Sequence, residues 1–418
     1  MAPVFRADQV GSLLRPTSLL DLRSKHHVTA SYDSVTSNAE VEQATKDAVA
    51  SVVQRQIASS IYPITTGELE RSIFYGGFFE TLSGFTTLDA LPIPSAFRTG
   101  FPSVARLQAA GVRTRPGVVA TGKITWTKPA YGDSWALLKS LVQGYAQGSQ
   151  SAAAADLLLA KCKITIPSPT YQHMQLRPGS AYTAESGYAS DEAYFADLAA
   201  AYRAELKSLY DAGCRNVQID DPNMTFFVMD SFLDGCRADG VDPDLLLEQY
   251  VRVHNACIAD VPGDMHVGIH LCRGNMWSGV VEGGIGAGSY ERIAERMFKE
   301  LDYESFYLEY DDERSGDFEP LRYLPREKYV VLGLVSTKRV ELERMEDLVR
   351  RVREAAQVIA KAQGRTVDEA MEECLAVSPQ CGFASQSQGG GRGMTEDRQW
   401  QKLELVRDVV RKLWKDAL

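Results

Sequence analysis

His270 and Cys272 stand two residues apart at the end of an apolar run, in VGIHLCRGN (267–275). Alternate side chains of a strand share a face, so the imidazole and the thiol project the same way while Leu271 turns into the opposite layer. A histidine nitrogen beside a cysteine sulfur is half of a tetrahedral zinc site, and the thiolate is the zinc-selecting half. Such a pair is weak evidence alone, because buried cysteines often act as small hydrophobes and a lone histidine is often only hydrogen-bonded. Its weight comes from two other runs of the same kind: Glu309 closes one in LEYDD and Cys381 closes another in SPQCG. One imidazole, two thiolates and one carboxylate suit zinc. The competing reading is that Glu309 caps a loop and Cys381 packs beside Gly382.

A second group is acidic. Glu68 ends the run IYPITTGE (61–68) and Asp220 lies at the end of NVQIDDP (216–222). Two carboxylates kept close repel unless a cation lies between them, which suggests a substrate ammonium. Either could instead hold a helix N-terminus or pair with Arg71. Gly11 and Ser12 offer backbone amides that could bind a carboxylate, or they form an ordinary turn.

These residues share one face only if the runs that carry them lie side by side and parallel. The short apolar runs are FRADQVGSL (5–13), IYPITTGE (61–68), CKITIPSP (162–169), NVQIDDP (216–222), HVGIHLC (266–272), SFYLEYDD (305–312), YVVLGLVS (329–336) and CLAVSPQC (374–381). Helical periodicity marks 39–58, 191–213, 244–259, 290–301 and 341–362. Alternation of strand and helix requires parallel strands with right-handed crossovers, and near-continuous apolar strands require helices on both faces. Eight runs with polar C-terminal ends predict a closed (β/α)8 TIM barrel, an α/β fold whose reactive residues converge on one face. An N-terminal helical segment and a long insertion over about 69–160, containing the extra run PGVVATGKITW (116–126), complete the expected layout. GGGRG (389–393) reads as a flexible or anion-accommodating loop and lacks the Lys-Ser/Thr ending of a P-loop.

Composition narrows the partners. With 45 basic against 55 acidic residues the net charge is −10, and no dense basic block occurs, so neither nucleic acid nor an anionic membrane is an expected partner. No apolar run approaches the ~18 residues of a membrane span, and MAPVFRADQVGS is no signal peptide, so a cytoplasmic protein acting on a small molecule is expected. The seven cysteines, scattered from Cys162 to Cys381, do not form a secreted disulfide framework and are expected to be reduced.

Taken together, VGSLLRP (10–16), TTGELER (65–71), VQIDDP (217–222), IHLC (269–272), YLEYDD (307–312) and SPQCG (378–382) resemble, in order, the cobalamin-independent methionine synthase family, specifically its C-terminal catalytic barrel. The resemblance extends over nearly the whole chain and implies a single barrel domain, 1–418. It implies zinc ligands at His270, Cys272, Glu309 and Cys381, a homocysteine ammonium held by Glu68 and Asp220, and a substrate carboxylate held by the backbone around Ser12. It further implies methyl transfer to a small thiol such as homocysteine, with methyltetrahydrofolate as the family's donor. Two departures bear on that donor. The chain is too short for the second, N-terminal barrel of the long family members. Where the family has a histidine after the seventh strand, thought to protonate the departing folate, this chain has Ser336 in GLVSTK (333–338), with Lys338 nearby. A serine hydroxyl is a poor general acid, so a thiol alkyltransferase with a non-folate electrophile stands beside the folate reading, as in the related epoxyalkane:coenzyme M transferases. Uroporphyrinogen decarboxylases share the barrel but give no reason for Cys381. From another class, a non-catalytic zinc-stabilised barrel remains the alternative, distinguished by a closed four-ligand metal that admits no thiol.

Overall fold

The computed structural model describes residues 3–28, 38–147, 152–278, 281–284, 286–384, 386 and 393–414. Ten strands occur among them: β1 (Ser83–Pro92), β2 (Thr114–Thr125), β3 (Ile164–Pro167), β4 (Asn216–Asp221), β5 (His266–Leu271), β6 (Asn275–Ser278), β7 (Val281–Gly284), β8 (Ser305–Glu309), β9 (Tyr329–Val335) and β10 (Leu375–Pro379). Six of them form one parallel sheet in the order β10-β9-β8-β5-β4-β3. Every residue of these six is buried, as expected for parallel strands covered on both faces.

The first two expected strands are each reduced to one bridge. Ala7 pairs with Val377 of β10, and Ile64 pairs with Cys162 just before β3. A parallel sheet of six strands is therefore what is regular, and a closed eight-stranded ladder is not resolved. The reason lies in the side chains around these segments. Gln56 brackets Thr65, donating to its carbonyl at 2.9 Å and accepting from its amide at 3.0 Å. Gln9 donates to the Pro63 carbonyl at 2.6 Å, and Gln218 donates to the Val10 carbonyl at 2.8 Å. Backbone groups that a ladder would have used are satisfied by amide side chains instead.

The helices follow the apolar periodicity closely: Ala39–Ala58, Asp191–Asp211, Pro243–Ile258, Glu291–Glu300 and Met345–Gln363 match the five expected ones. Local chemistry sets their starts. The Asn38 side chain accepts from the Glu40 and Val41 amides, Ser190 caps the second helix, and Asp242 with Pro243 at the first position opens the third. A Thr366–Glu369 capping box starts Val367–Cys374, the helix that leads straight into β10. Asp221 ties a crossover helix to the sheet, accepting from Ser168 Oγ at 2.6 Å and His254 Nε2 at 3.1 Å. Its neighbour Asp220 points to the other face, which is why two adjacent aspartates have unrelated partners.

Between residues 69 and 160 lie the antiparallel ribbon β1–β2 and the helices Pro102–Ala109, Gly132–Gln147 and Ala152–Leu159. Buried Glu205 anchors this region, accepting from Trp126 Nε1 at 2.8 Å and from the Ala130 and Tyr131 amides at 2.9 and 3.0 Å. No helix among the described residues is long and apolar enough to cross a membrane. Residues 389–392 of the glycine-rich run lie outside the described residues.

Candidate metal centre

Parallel register brings the polar strand ends together. Asp220 of β4 lies beside His270 of β5, and Tyr307 of β8 lies beside it on the other side. Two residues on, Cys272 and Glu309 follow on the same face, and Cys381 arrives just after β10. Ligand atoms of His270, Cys272, Glu309 and Cys381 all lie within 4.8 Å of one another, and all four residues are buried. The two sulfurs are 3.6 Å apart. Metal–ligand bonds of about 2.0–2.3 Å at tetrahedral angles put ligand atoms roughly 3.3–3.8 Å apart, so the sulfur pair already has a zinc-like spacing.

Several orphaned or crowded groups point the same way. Both ring nitrogens of His270 are buried without a hydrogen-bond partner, a state that costs about 1–3 kcal/mol unless something occupies them. The Cys272 thiol is pushed well above its ordinary pKa first by its hydrogen bond with Cys381, then by burial and by the charge of Cys381, since two adjacent thiolates without a cation repel. Burial would lower the His270 pKa, yet Cys272, Asp220 and Glu309 reverse it, so the cluster draws positive charge. Burial likewise opposes ionisation of Glu309, but Lys338 and Arg314, helped by His270 and the Arg273 amide, outweigh it and hold the carboxyl at about 2. Arg314 donates to Glu309 Oε2 at 2.6 Å and the Lys338 ammonium lies 3.5 Å from it, while Oε1 accepts from the Arg273 amide at 3.1 Å. Two thiolates and a carboxylate around a divalent ion sum to one net negative charge, and these cations offset it. The donor set fits zinc.

Ser12, Glu68 and Asp220 line the same cleft as His270, Cys272 and Cys381, together with Val10, Phe74, Pro222 and Gly382. Glu68 Oε1 accepts from Thr165 Oγ1 at 2.6 Å and lies 3.8 Å from the buried Arg71 guanidinium, the pairing the sequence also allowed, while its buried Oε2 has no hydrogen-bond partner. Its backbone is left-handed, φ 55°, directly after Gly67 at φ 72°, a conformation that costs a non-glycine residue about 1 kcal/mol or more and that turns the carboxylate inward. Asp220 accepts from Gln218 Nε2 at 2.7 Å; burial first, then Glu68, raises its pKa to about 7. Ser12 lies close to Gly382: a Cβ there would sit 1.9 Å from Ser12 Oγ, so any side chain at 382 would force the Ser12 hydroxyl to move.

Ser336 is not among the cleft-lining residues. It is fully buried, its amide donates to Glu343 Oε1 at 2.9 Å, and its hydroxyl accepts from the Lys338 amide at 3.3 Å. Lys338 itself reaches the centre through Glu309.

A family model described as "Cobalamin-independent synthase, Catalytic domain" matches residues 186–393. Two Bacillus subtilis (strain 168) proteins, YxjH and YxjG, both described as uncharacterized, are each 33% identical to this chain. YxjH aligns over 98% of this chain and 95% of its own length, YxjG over 99% and 96%. The chain belongs to the cobalamin-independent methionine synthase catalytic-domain family. A solved Listeria monocytogenes protein assigned as a vitamin-B12-independent methionine synthase is 26% identical, with TM-score 0.66 over 99% of both chains. A B12-independent methionine synthase from Shewanella sp. W3-18-1, solved with selenomethionine, shares the fold at 15% identity and TM-score 0.65 over 99% of both chains.

Within that family frame, sequence reading missed the residues that hold the acidic pair: Thr165 on Glu68, Gln218 on Asp220, and Lys163 on Gln218. A signal for them exists. In CKITIPSP and VQIDDP, polar Lys163, Thr165, Gln218 and Asp220 recur at two-residue spacing in otherwise apolar strands, which places them on the face of the reactive groups. Arg314 gave no such signal, because it belongs to a short turn after β8.

Proposed function

We propose that this protein is a zinc-dependent methyl- or alkyltransferase acting on a small amino-acid thiol of the homocysteine type. The observation that carries this reading is that His270, Cys272 and Cys381 of the four-residue cluster line the same cleft as the Glu68–Asp220 pair. The reading takes the six-stranded sheet, with its bridges at Ala7 and Ile64, as the regular arc of a (β/α)8 barrel over one domain.

Bound zinc would keep the substrate thiol, whose free pKa is about 8.5, in the thiolate form that attacks an alkyl carbon. The chain's own residues do the rest. Glu68 and Asp220 receive the substrate ammonium, and the backbone around Ser12 receives its carboxylate, fixing the sulfur's direction of approach. Phe74 and Pro222 wall the cleft against water. The new carbon–sulfur bond forms as the bond between carbon and the leaving group breaks, and the leaving group departs with the electron pair.

The donor reads differently from the acceptor. Ser336 is buried, engaged and off the cleft, which favours an electrophile that leaves without a proton from that position, such as a sulfonium or corrinoid methyl or a strained epoxide. The test of the main reading is X-ray absorption at the zinc edge, with and without homocysteine. A third sulfur in the coordination shell is expected. An unchanged shell of two sulfurs at saturating thiol would leave the metal structural and defeat the proposal.

A further inference from the structure

Beneath the cleft, the sheet interior holds an ammonium that no catalytic step uses. Lys163 is fully buried and its three donors have three acceptors: Asp8 Oδ1 at 2.8 Å, Gln218 Oε1 at 2.7 Å and the Gln9 carbonyl. Asp8 is fully engaged as well, accepting from Tyr307 OH at 2.8 Å and the Gln9 amide at 2.7 Å. An ammonium cannot accept a hydrogen bond, so the amide oxygen of Gln218 must face Lys163 and the amide nitrogen must face away. That nitrogen has two hydrogens and two acceptors, Asp220 Oδ1 at 2.7 Å and the Val10 carbonyl at 2.8 Å. Asp220 belongs to the side of the cleft read as the ammonium site. Val10 lies two residues before Ser12, on the segment read as the carboxylate site.

We propose that Gln218 is a positioning residue that sets the distance between the ammonium-binding and carboxylate-binding sides of the cleft, with Lys163 fixing the direction in which its amide points. The inference rests on the reading of Glu68, Asp220 and Ser12 as the amino-acid end of the site. Gln218 touches neither substrate nor metal ligands. It acts by holding Asp220 through one oxygen, which leaves the carboxylate one orientation in which to meet a cation. A rotated amide would put its oxygen against two other oxygens, pushing Asp220 and the Val10 segment apart. An apolar residue there would fill the same space but hold neither group. The Lys163–Asp8 pair thus has a use beyond stability: buried pairs of this kind are commonly neutral or costly in stability, and specificity is the better-attested return.

The experiment is calorimetric binding of two probes to the zinc-loaded protein: homocysteine, and 4-mercaptobutanoate, which lacks only the amino group. Gln218→Glu is isosteric and keeps the contact with Lys163, but turns an oxygen toward Asp220 and Val10. It is expected to weaken homocysteine at least tenfold and 4-mercaptobutanoate less than threefold, with zinc content unchanged. Lys163→Met combined with Asp8→Asn removes the charged pair together, leaves no lone buried ion, and is expected to show the same selective loss on a smaller scale. Equal weakening of both probes, or none, in a folded zinc-loaded Gln218→Glu protein overturns the inference. Wild-type protein that binds the two probes equally would instead defeat the amino-acid reading itself, and the inference with it. Should Gln218→Glu not fold, the double variant alone decides: homocysteine-selective loss supports the assignment, and unaltered selectivity removes it.

Discussion

On the β3–β4 side of the cleft each carboxylate accepts from one neutral donor, Thr165 on Glu68 and Gln218 on Asp220, with Arg71 3.8 Å from Glu68 Oε1 and Glu68 Oε2 without a hydrogen bond. On the β8–β9 side Glu309 has both oxygens engaged, with a guanidinium and an ammonium against one of them. The first arrangement is only partly compensated, by the Arg71 guanidinium near one oxygen of Glu68. The second is already compensated and suits a ligand whose charge is shared with a metal. On the function proposed above, this contrast assigns the amino-acid ammonium to the Glu68–Asp220 side, whereas the Glu309 side has two cations against one carboxylate and no free acid at Ser336. On that proposal the family resemblance extends through the thiol and stops short of the donor.

The largest expected effect tests that inequality. General-acid help is typically worth ~10²–10⁴ in rate, and a folate amine departs badly without it. Single-turnover transfer from mono- and triglutamyl methyltetrahydrofolate to homocysteine should therefore run ~10²–10⁴-fold below ordinary enzyme rates. Turnover at ordinary rates would erase the contrast and require another proton source. Next in size is the metal. Even groups that only orient zinc ligands are worth about 10–100-fold in affinity, so Cys272→Ser or Cys381→Ser should cost at least about 100-fold. Cys162→Ser and Cys236→Ser, both buried outside the cluster, should leave zinc stoichiometry unchanged. Equal metal content in all four variants would remove the centre. The fold should survive each change, since a core of this size does not depend on one ion.

Smaller still is the loss expected at the ammonium site. Asp220→Asn keeps the volume and removes the charge, and a charge-assisted hydrogen bond is worth about 1.5–3 kcal/mol, roughly ten- to a hundredfold. Calorimetry should show that loss for homocysteine and nearly none for a thiol without the amino group. Equal weakening of both would make Asp220 structural and leave the two sides of the cleft alike.

Much of this was legible in the chain before any coordinates. The apolar periodicities located five of the helices, though not Gly132–Gln147 or Glu396–Leu413, and six strands fell on the expected runs. The four metal-cluster residues were legible because each closes an apolar run, and a parallel sheet gathers such ends on one face. What was not legible depended on side chains replacing backbone partners. FRADQVGSL and IYPITTGE have strand-like sequences but only one bridge each, since Gln9, Gln56 and Gln218 take their carbonyls and amides. A glutamine in an apolar strand does not announce which distant carbonyl it will meet. Arg314 was invisible for a related reason: its value lies in a turn that brings it back over Glu309.

The smallest expected effect concerns Ser336, and it cuts most directly at the contrast between the two sides. Its hydroxyl is buried, accepts one long hydrogen bond of 3.3 Å from the Lys338 amide, and is absent from the cleft wall. The position matters instead through its backbone, whose amide donates to Glu343, itself held by the buried Lys402 ammonium at 3.0 Å. Alanine preserves that backbone contact. Ser336→Ala should therefore cost about 1 kcal/mol of stability or less, the usual worth of one hydroxyl contact. With whichever alkyl donor supports turnover, the rate should change by less than about threefold, far from the ~10²–10⁴ of a lost general acid. Thermal melting and single-turnover rates of the zinc form measure the two quantities separately. A rate loss near ~10²-fold with zinc content and melting unchanged would make the hydroxyl a participant after all. The donor side would then be a working variant of the family's proton-delivering position, and the case for a non-folate electrophile would lose its main support.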